Sequence, residues 1–219
     1  MRAVRSLVLS ALAGWALLSV LAALFARVWL RERRGRTVYP ASAAAQLLHP
    51  MRARLQPVLG TLQRFHLQEG DTVLEIGPGP GYFSIEASRL AGPTGRVVCL
   101  DLQPGMAAVL RGRLRAANAG TAQPVVGDAT RLPLASGSVD KAFLIAVLGE
   151  VPDRPAAIAE LRRVLKPGGV LGFGETLTDP DYMFQDGLVD LCRAFGFEPL
   201  ERKGSLLGYV MTFRAPGAA

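Results

Sequence analysis

Most of the chemistry in this chain is concentrated in Glu75-Ile76-Gly77-Pro78-Gly79-Pro80-Gly81, which follows the apolar run Val73-Leu74 and precedes Tyr82-Phe83-Ser84. An apolar strand that ends in an acid and runs into glycines at 77, 79 and 81 makes a tight turn beside a helix N-terminus. There the missing side chains let a ligand approach the backbone. The spacing excludes two common cradles. A dinucleotide site needs G-x-G-x-x-G, but the residue after Pro80 is already Gly81 and Tyr82 comes next. A phosphate-cradling loop ends in Gly-Lys-Ser/Thr, which this one lacks. With Glu75 close by, a ligand carrying positive charge fits better than pyrophosphate.

Stepping outward along the chain, short strand-like runs alternate with helical patterns from residue 71 onward, the signature of an α/β domain with a mainly parallel sheet. The patterns predict strands over 72–76, 96–101, 123–126, 139–145, 169–175, 197–203 and 206–214. Helices are predicted over 81–91, 104–118, 153–165 and 184–194. The last two strands, joined through Lys203-Gly204-Ser205, form an antiparallel hairpin at a sheet edge. Residues 37–70, rich in Ala and Leu and broken by Pro50, Pro57 and Gly60, read as two or three short helices.

Glu75-x-Gly77-x-Gly79-x-Gly81 after the first strand resembles motif I of the class I S-adenosylmethionine-dependent methyltransferases, and the resemblance continues through residues 70–175. Asp101, ending the second strand in VVCLDLQP, matches the acid that holds the ribose hydroxyls in that family. Gly127-Asp128-Ala129 looks like its adenine-reading segment, and Leu165-Lys166-Pro167-Gly168-Gly169 like the turn before its fifth strand. The resemblance implies a Rossmann-like class I fold, a seven-stranded mainly parallel sheet with a C-terminal antiparallel hairpin. It implies S-adenosylmethionine as cofactor, bound by Glu75, Gly77, Gly79, Gly81, Asp101, Leu102, Asp128, Ala129 and Ile145. Taken singly, Asp101 and Asp128 read equally well as helix caps or solvent contacts.

In such a family catalysis needs little beyond holding a nucleophile in line with the methyl group. After the fourth strand stands Ile145-Ala146-Val147-Leu148-Gly149-Glu150, not the Asn/Asp-Pro-Pro-Tyr/Phe group of enzymes that methylate amide or exocyclic amino nitrogens. Cys99 and Cys192 fall inside a strand and a helix, which disfavours cytosine C5 methylation. They are too few for a disulfide scaffold, and with His49 and His66 they show no metal-ligand spacing, so no metal is expected. The acceptor expected is a small molecule or a membrane-borne lipid or amphiphile, the resemblance extending most closely to quinone-, sterol- and phospholipid-modifying methyltransferases. Glu150 and His49 are the candidate catalytic residues, a carboxylate and an imidazole able to orient or deprotonate an acceptor group; Tyr39 and Tyr182 are further candidates on the substrate side. Each has a plainer reading as a cap, packing or surface residue. Two other readings stay open: a catalytically silent, membrane-anchored cofactor-binding scaffold or regulator, and methylation of a protein acceptor.

The chain has 219 residues, half of them hydrophobic, and a mean hydropathy of +0.26, which excludes a disordered polyelectrolyte. Its formal charge of +7 is concentrated at one end. Residues 1–36 hold seven arginines and one acid, and the remaining 183 residues carry a net +1. That near-neutral body gives no basis for a phosphate footprint, so no nucleic acid partner is expected. From Ser6 to Ala26 no residue is charged, and 21 residues at about 1.5 Å each suffice to cross a bilayer core of roughly 30 Å. Arg27, Arg31, Arg33, Arg34 and Arg36 follow, against Arg2 and Arg5 before, which favours a single-pass anchor with the body on the cytoplasmic side. A cleavable signal peptide is the main rival, with a mitochondrial presequence or a buried core helix as further alternatives. The domains expected are an anchor over 1–36, a helical lid or linker over 37–69 and a methyltransferase domain over 70–219.

Overall fold

A computed structural model of the chain describes residues 14–24, 26, 39–49, 56–177 and 179–217. The chain divides into two compact units, Met1–Thr37 and Val38–Ala219. In the first, residues 14–24 are helical and their apolar side chains face outward, with Trp15 72% and Leu17 62% exposed. Among the described residues no helix is long and apolar enough to cross a membrane. The expected transmembrane helix over 6–26 is therefore not found as a whole: residues 6–13 and 25 lie outside the described residues, and the helical part described spans only about 16 Å.

The second unit opens with a 3-10 helix, Ala41–Leu48, and α1 (Val58–Arg64). Strands and helices then alternate: β1 (Thr72–Ile76), α2 (Ser84–Ala91), β2 (Arg96–Asp101), α3 (Pro104–Ala116), β3 (Ala122–Val126) and β4 (Val139–Ile145). A short 3-10 turn, Leu148–Glu150, leads to α4 (Arg154–Val164), β5 (Leu165–Thr176), α5 (Gln185–Ala194), β6 (Glu198–Ser205) and β7 (Gly208–Arg214). The seven strands lie in the order β3-β2-β1-β4-β5-β7-β6, with β1 to β5 parallel and β7 antiparallel to both neighbours. Successive strands run outward from β1 to β3 on one side and from β4 on the other. The order reverses between β1 and β4, which opens a crevice at their carboxyl ends.

Alternation along each strand builds two apolar layers. Leu74 and Ile76 of β1, with Val98 and Leu100 of β2, face α4 and α5, while Val73, Val97 and Cys99 face α2 and α3. On the second face the Phe65 ring, just after α1, lies over β5, where a Cβ at Gly172 would stand 2.2 Å from its Cδ1. The same ring stacks on Phe143 with centroids 5.3 Å apart. This contact ties the segment ahead of the sheet to the sheet itself.

Two expected boundaries move for identifiable reasons. Helix α2 starts at Ser84 rather than 81 because Gly77, Gly79 and Gly81 all hold positive φ and keep the chain in a loop. The hairpin turns at Leu206-Leu207, not at Lys203-Gly204-Ser205. Gly204 (φ +118°) stays within β6, where a side chain would meet the Gly208 carbonyl at 2.2 Å. Its glycine serves a close approach of two strands, which in sequence looks the same as a turn.

Candidate cofactor and acceptor site

The loop between β1 and α2 is shaped by what presses on it. Gly77 (φ +68°) donates its N–H to the Leu100 carbonyl at 2.9 Å, and a Cβ there would lie 2.3 Å from Val147 Cγ2. No L side chain fits at that position. Gly79 (φ +55°) faces Leu47 of the first 3-10 helix, whose Cδ1 would stand 3.3 Å from an added Cβ, and Gly81 packs under Leu110 of α3. The loop is thus held by the segment after β4, by α3 and by the segment ahead of the sheet.

Glu75 lies beneath this loop, 3% exposed, and accepts a hydrogen bond from Ser84 Oγ at 2.5 Å, with Cys99 Sγ at 3.7 Å. It pins the first turn of α2 to β1. Burial and the Glu75 carboxylate push the Cys99 thiol up, and burial pushes Cys192 up to about 12, so both thiols stay protonated and poorly nucleophilic. Asp101 ends β2 at 7% exposure. Burial raises its pKa, while backbone N–H groups of Gln103, at 2.9 Å, and Gly79 oppose that rise. The Gly79 amide therefore couples the glycine loop to the acid expected to hold a ribose diol, and a carboxylate there can accept two hydroxyl hydrogen bonds.

Leu102, expected among the cofactor-binding residues, follows and is 54% exposed. The Gly127 N–H donates to the Asp101 carbonyl at 3.0 Å, which brings Asp128 and buried Ala129 to the same rim. Oδ1 of exposed Asp128 accepts from both the backbone N–H and the hydroxyl of Thr130, each at 2.8 Å, so this oxygen shapes its own turn. Ile145 is buried at the end of β4, and the next residue, Ala146, takes φ +57° with its N–H on the Gly174 carbonyl at 2.8 Å. Ala146 is thus a non-glycine residue held in the left-handed region at the point where the sheet order reverses.

The candidate catalytic residues lie on the two segments that reach the glycine loop through Leu47 and Val147. His49 is exposed and ends the 3-10 helix that carries Leu47. Glu150, half-buried, ends the turn three residues after Val147, the residue against Gly77. Tyr39 donates its hydroxyl to Gln46 Oε1 at 2.8 Å, within the same N-terminal segment as His49. Tyr182 stands apart, donating to the Leu206 carbonyl at 3.0 Å beside the hairpin. Among the described residues no group of three or more His, Cys, Asp or Glu is placed to hold a metal ion.

Two residues with a part in this arrangement were not singled out by sequence reasoning. Gln103 bridges the N-terminal segment to the rim: its Nε2 donates to the Tyr39 carbonyl at 2.7 Å and its Oε1 accepts from the Ala41 N–H at 3.2 Å. Its position directly after Asp101-Leu102 was the one available signal. Glu175, 3% exposed near the end of β5, has a pKa pushed up to about 8 by burial and by Asp179, against the Met183 N–H and Arg154. Its Oε2 is buried with no hydrogen-bond partner among the described residues. Arg154 in turn donates to the Leu148 and Gly149 carbonyls at 3.3 and 3.0 Å, bracing the turn that carries Glu150.

Comparison with known proteins agrees with this geometry. The methyltransferase-domain family matches residues 74–173. The ubiquinone/menaquinone biosynthesis C-methyltransferase UbiE of Haemophilus ducreyi is 36% identical over 118 residues, covering 52% of this chain and 46% of that protein. The protein of the same name from Escherichia coli O9:H4 is 33% identical over 145 residues, covering 64% of this chain and 55% of its own length. The chain thus spans about half the length of these relatives. In fold it is similar to a SAM-dependent methyltransferase from Aquifex aeolicus, with a TM-score of 0.76 at 20% identity over 81% of this chain and 100% of that one. Residues 74–173, which hold the glycine loop with its buried acid, the strand-end Asp101 and the reversal of sheet order, thus match a methyltransferase domain, and the fold is similar to that of a SAM-dependent methyltransferase, which makes S-adenosylmethionine the cofactor of this domain.

Proposed function

We propose that the chain transfers the methyl group of S-adenosylmethionine to a small, apolar acceptor dissolved in a membrane, with residues 6–26 as the anchor and the domain on the cytoplasmic side. The observation that carries this reading is the seating of an alanine- and leucine-rich segment against the cofactor rim. Gln103 grips Tyr39 and Ala41 while Leu47 rests on Gly79. Half-buried Ala43, Leu47 and Leu48 of this segment offer apolar contact, which suits an amphiphile better than a nucleotide or a charged metabolite. The quinone-directed names of two similar proteins point to the same acceptor class.

The cofactor supplies an electrophilic methyl on a sulfonium centre. The chain's own part is to hold and shield. Gly77 and Gly79 shape the loop backbone, Asp101 accepts hydroxyl hydrogen bonds, and Leu47 and Val147 exclude water from its two sides. Glu150 and His49 border the acceptor's approach, where either can accept a proton or orient a hydroxyl. The test uses the full chain with methyl-labelled S-adenosylmethionine and cell extract divided into lipid, soluble-metabolite, RNA and protein fractions. Label is expected in the lipid fraction. Label confined to RNA or protein overturns the acceptor class, and cofactor binding without transfer to any fraction favours the silent scaffold.

A further inference from the structure

The turn between β6 and β7 consists of two leucines. Two-residue hairpin turns ordinarily take Asn, Gly or Asp, whose backbones suit the geometry and whose side chains face water. Here Leu206 is 68% and Leu207 73% exposed, and Phe184, just before α5, is 66% exposed. Tyr182 links Phe184 to the turn. The Tyr182 ring lies edge-on to Phe184 with centroids 5.3 Å apart, and its hydroxyl donates to the Leu206 carbonyl at 3.0 Å.

The tip is braced rather than loose. The Leu177 N–H donates to the Leu207 carbonyl at 3.0 Å, Gln185 Nε2 to the Ser205 carbonyl at 3.2 Å, and the Leu207 N–H to Ser205 Oγ at 3.2 Å. Holding large apolar side chains in water on a rigid support marks a contact surface. Arg202 and Lys203, both exposed, flank the tip on β6. Exposed Asp186, in the first turn of α5, and half-buried Asp179, between Leu177 and Tyr182, match these two cations in number, so Arg202 and Lys203 stand out by their place beside the tip and not by net charge.

The location matters as much as the composition. Gly208 pairs with Thr176 at the carboxyl end of β5, so the turn projects from the edge of the sheet that also carries the glycine loop. We propose that Phe184, Leu206 and Leu207 insert into the surface of an anionic bilayer, with Arg202 and Lys203 at the headgroups, so that the mouth of the site faces the membrane. This rests on the reading that the acceptor is membrane-dissolved. Exposed apolar side chains beside a pair of exposed cations are the composition of an interfacial membrane contact, and long cationic side chains reach the headgroups while their stems stay in apolar surroundings. The uncharged run of residues 6–26 with its arginine flank makes a lipid surface, rather than a protein groove, the matching occupant.

The test places an environment-sensitive nitrobenzoxadiazole probe on Leu206→Cys in the full chain, reconstituted into phosphatidylcholine/phosphatidylglycerol vesicles containing brominated lipid. The native Cys99 and Cys192 are buried and do not compete for label. Leu207→Cys serves if the first variant fails to fold, and Ala135→Cys, in an exposed turn at the amino ends of the strands, is the reference. Quenching at 206 or 207 should exceed that at 135 several-fold and fall in the Arg202→Glu/Lys203→Glu variant. Equal quenching at both ends of the sheet overturns the proposal. So does probe shielding that appears without lipid as protein concentration rises, since the patch then joins two copies. Methyl transfer measured in the same vesicles, loaded with the lipid fraction of cell extract, separates the two claims. Quenching without label in lipid keeps the docking and removes the acceptor reading, while label in lipid without quenching does the reverse.

Discussion

The two halves of the site are built by different means. Around the cofactor, the ends of β1 and β2 are shaped by backbone: positive-φ glycines, amide donors to Asp101, and space that a single methyl group would fill. At the ends of β4 and β5, where the acceptor is expected, side chains take the larger part: Arg154 reaches back to the carbonyls of 148 and 149, and one oxygen of buried Glu175 has no hydrogen-bond partner among the described residues. A backbone cradle tolerates few sequences and binds one ligand class. A side-chain wall can be rebuilt, which is how one fold serves many acceptors.

The sharpest way to break this contrast is Gly79→Arg. A large side chain beside Leu47 and above Asp101 should weaken cofactor binding by about 100-fold or more, equivalent to roughly 3 kcal/mol. Titration calorimetry that finds the affinity unchanged would remove the cofactor assignment of this loop.

A second, smaller effect concerns the acceptor wall. Glu175 has a folded pKa of about 8 against an ordinary 4.5, so the native state holds its proton more tightly than the unfolded chain. Its contribution is present in full below the unfolded value and is lost as pH rises through the folded one. Wild-type stability should fall by about 2 kcal/mol between pH 6 and pH 9, and Glu175→Gln should remove that slope. Parallel urea-denaturation curves for the two proteins across this range would show that the wall holds no such buried proton.

The third change is the mildest. Gln103→Ala removes both hydrogen bonds between the rim and residues 39–41, at a cost of about 1–2 kcal/mol. Amide exchange should quicken across 39–48 while the amides of α2 keep their protection. Uniform loss of protection would mean that Gln103 supports the whole fold instead of fastening one segment.

Most of the strand and helix pattern could be read along the chain because each element keeps a regular period. β1, β2 and β4 fall on the expected 72–76, 96–101 and 139–145 because apolar alternation stops where the chain leaves the sheet. The hairpin turn was misplaced because Gly204 looks like a turn residue, and only the opposite strand shows that it answers to Gly208. Glu175 gave no signal, since an acid after an apolar run reads as a surface residue until the segment folding over it is known.

Residue order alone determined the parts that depend on local backbone: the α/β alternation, the glycine loop and the acid that ends β2. Those choices are made within a few residues by φ, hydrogen-bonding capacity and side-chain size. Tertiary structure alone decided what stands over them. It placed Val147 and Leu47 on the loop, tied Gln103 to Tyr39 and Ala41, buried Glu175, and set two leucines and a phenylalanine side by side on one edge. Contacts between residues 30 to 70 positions apart depend on how the sheet is ordered, and a one-dimensional pattern does not carry that order.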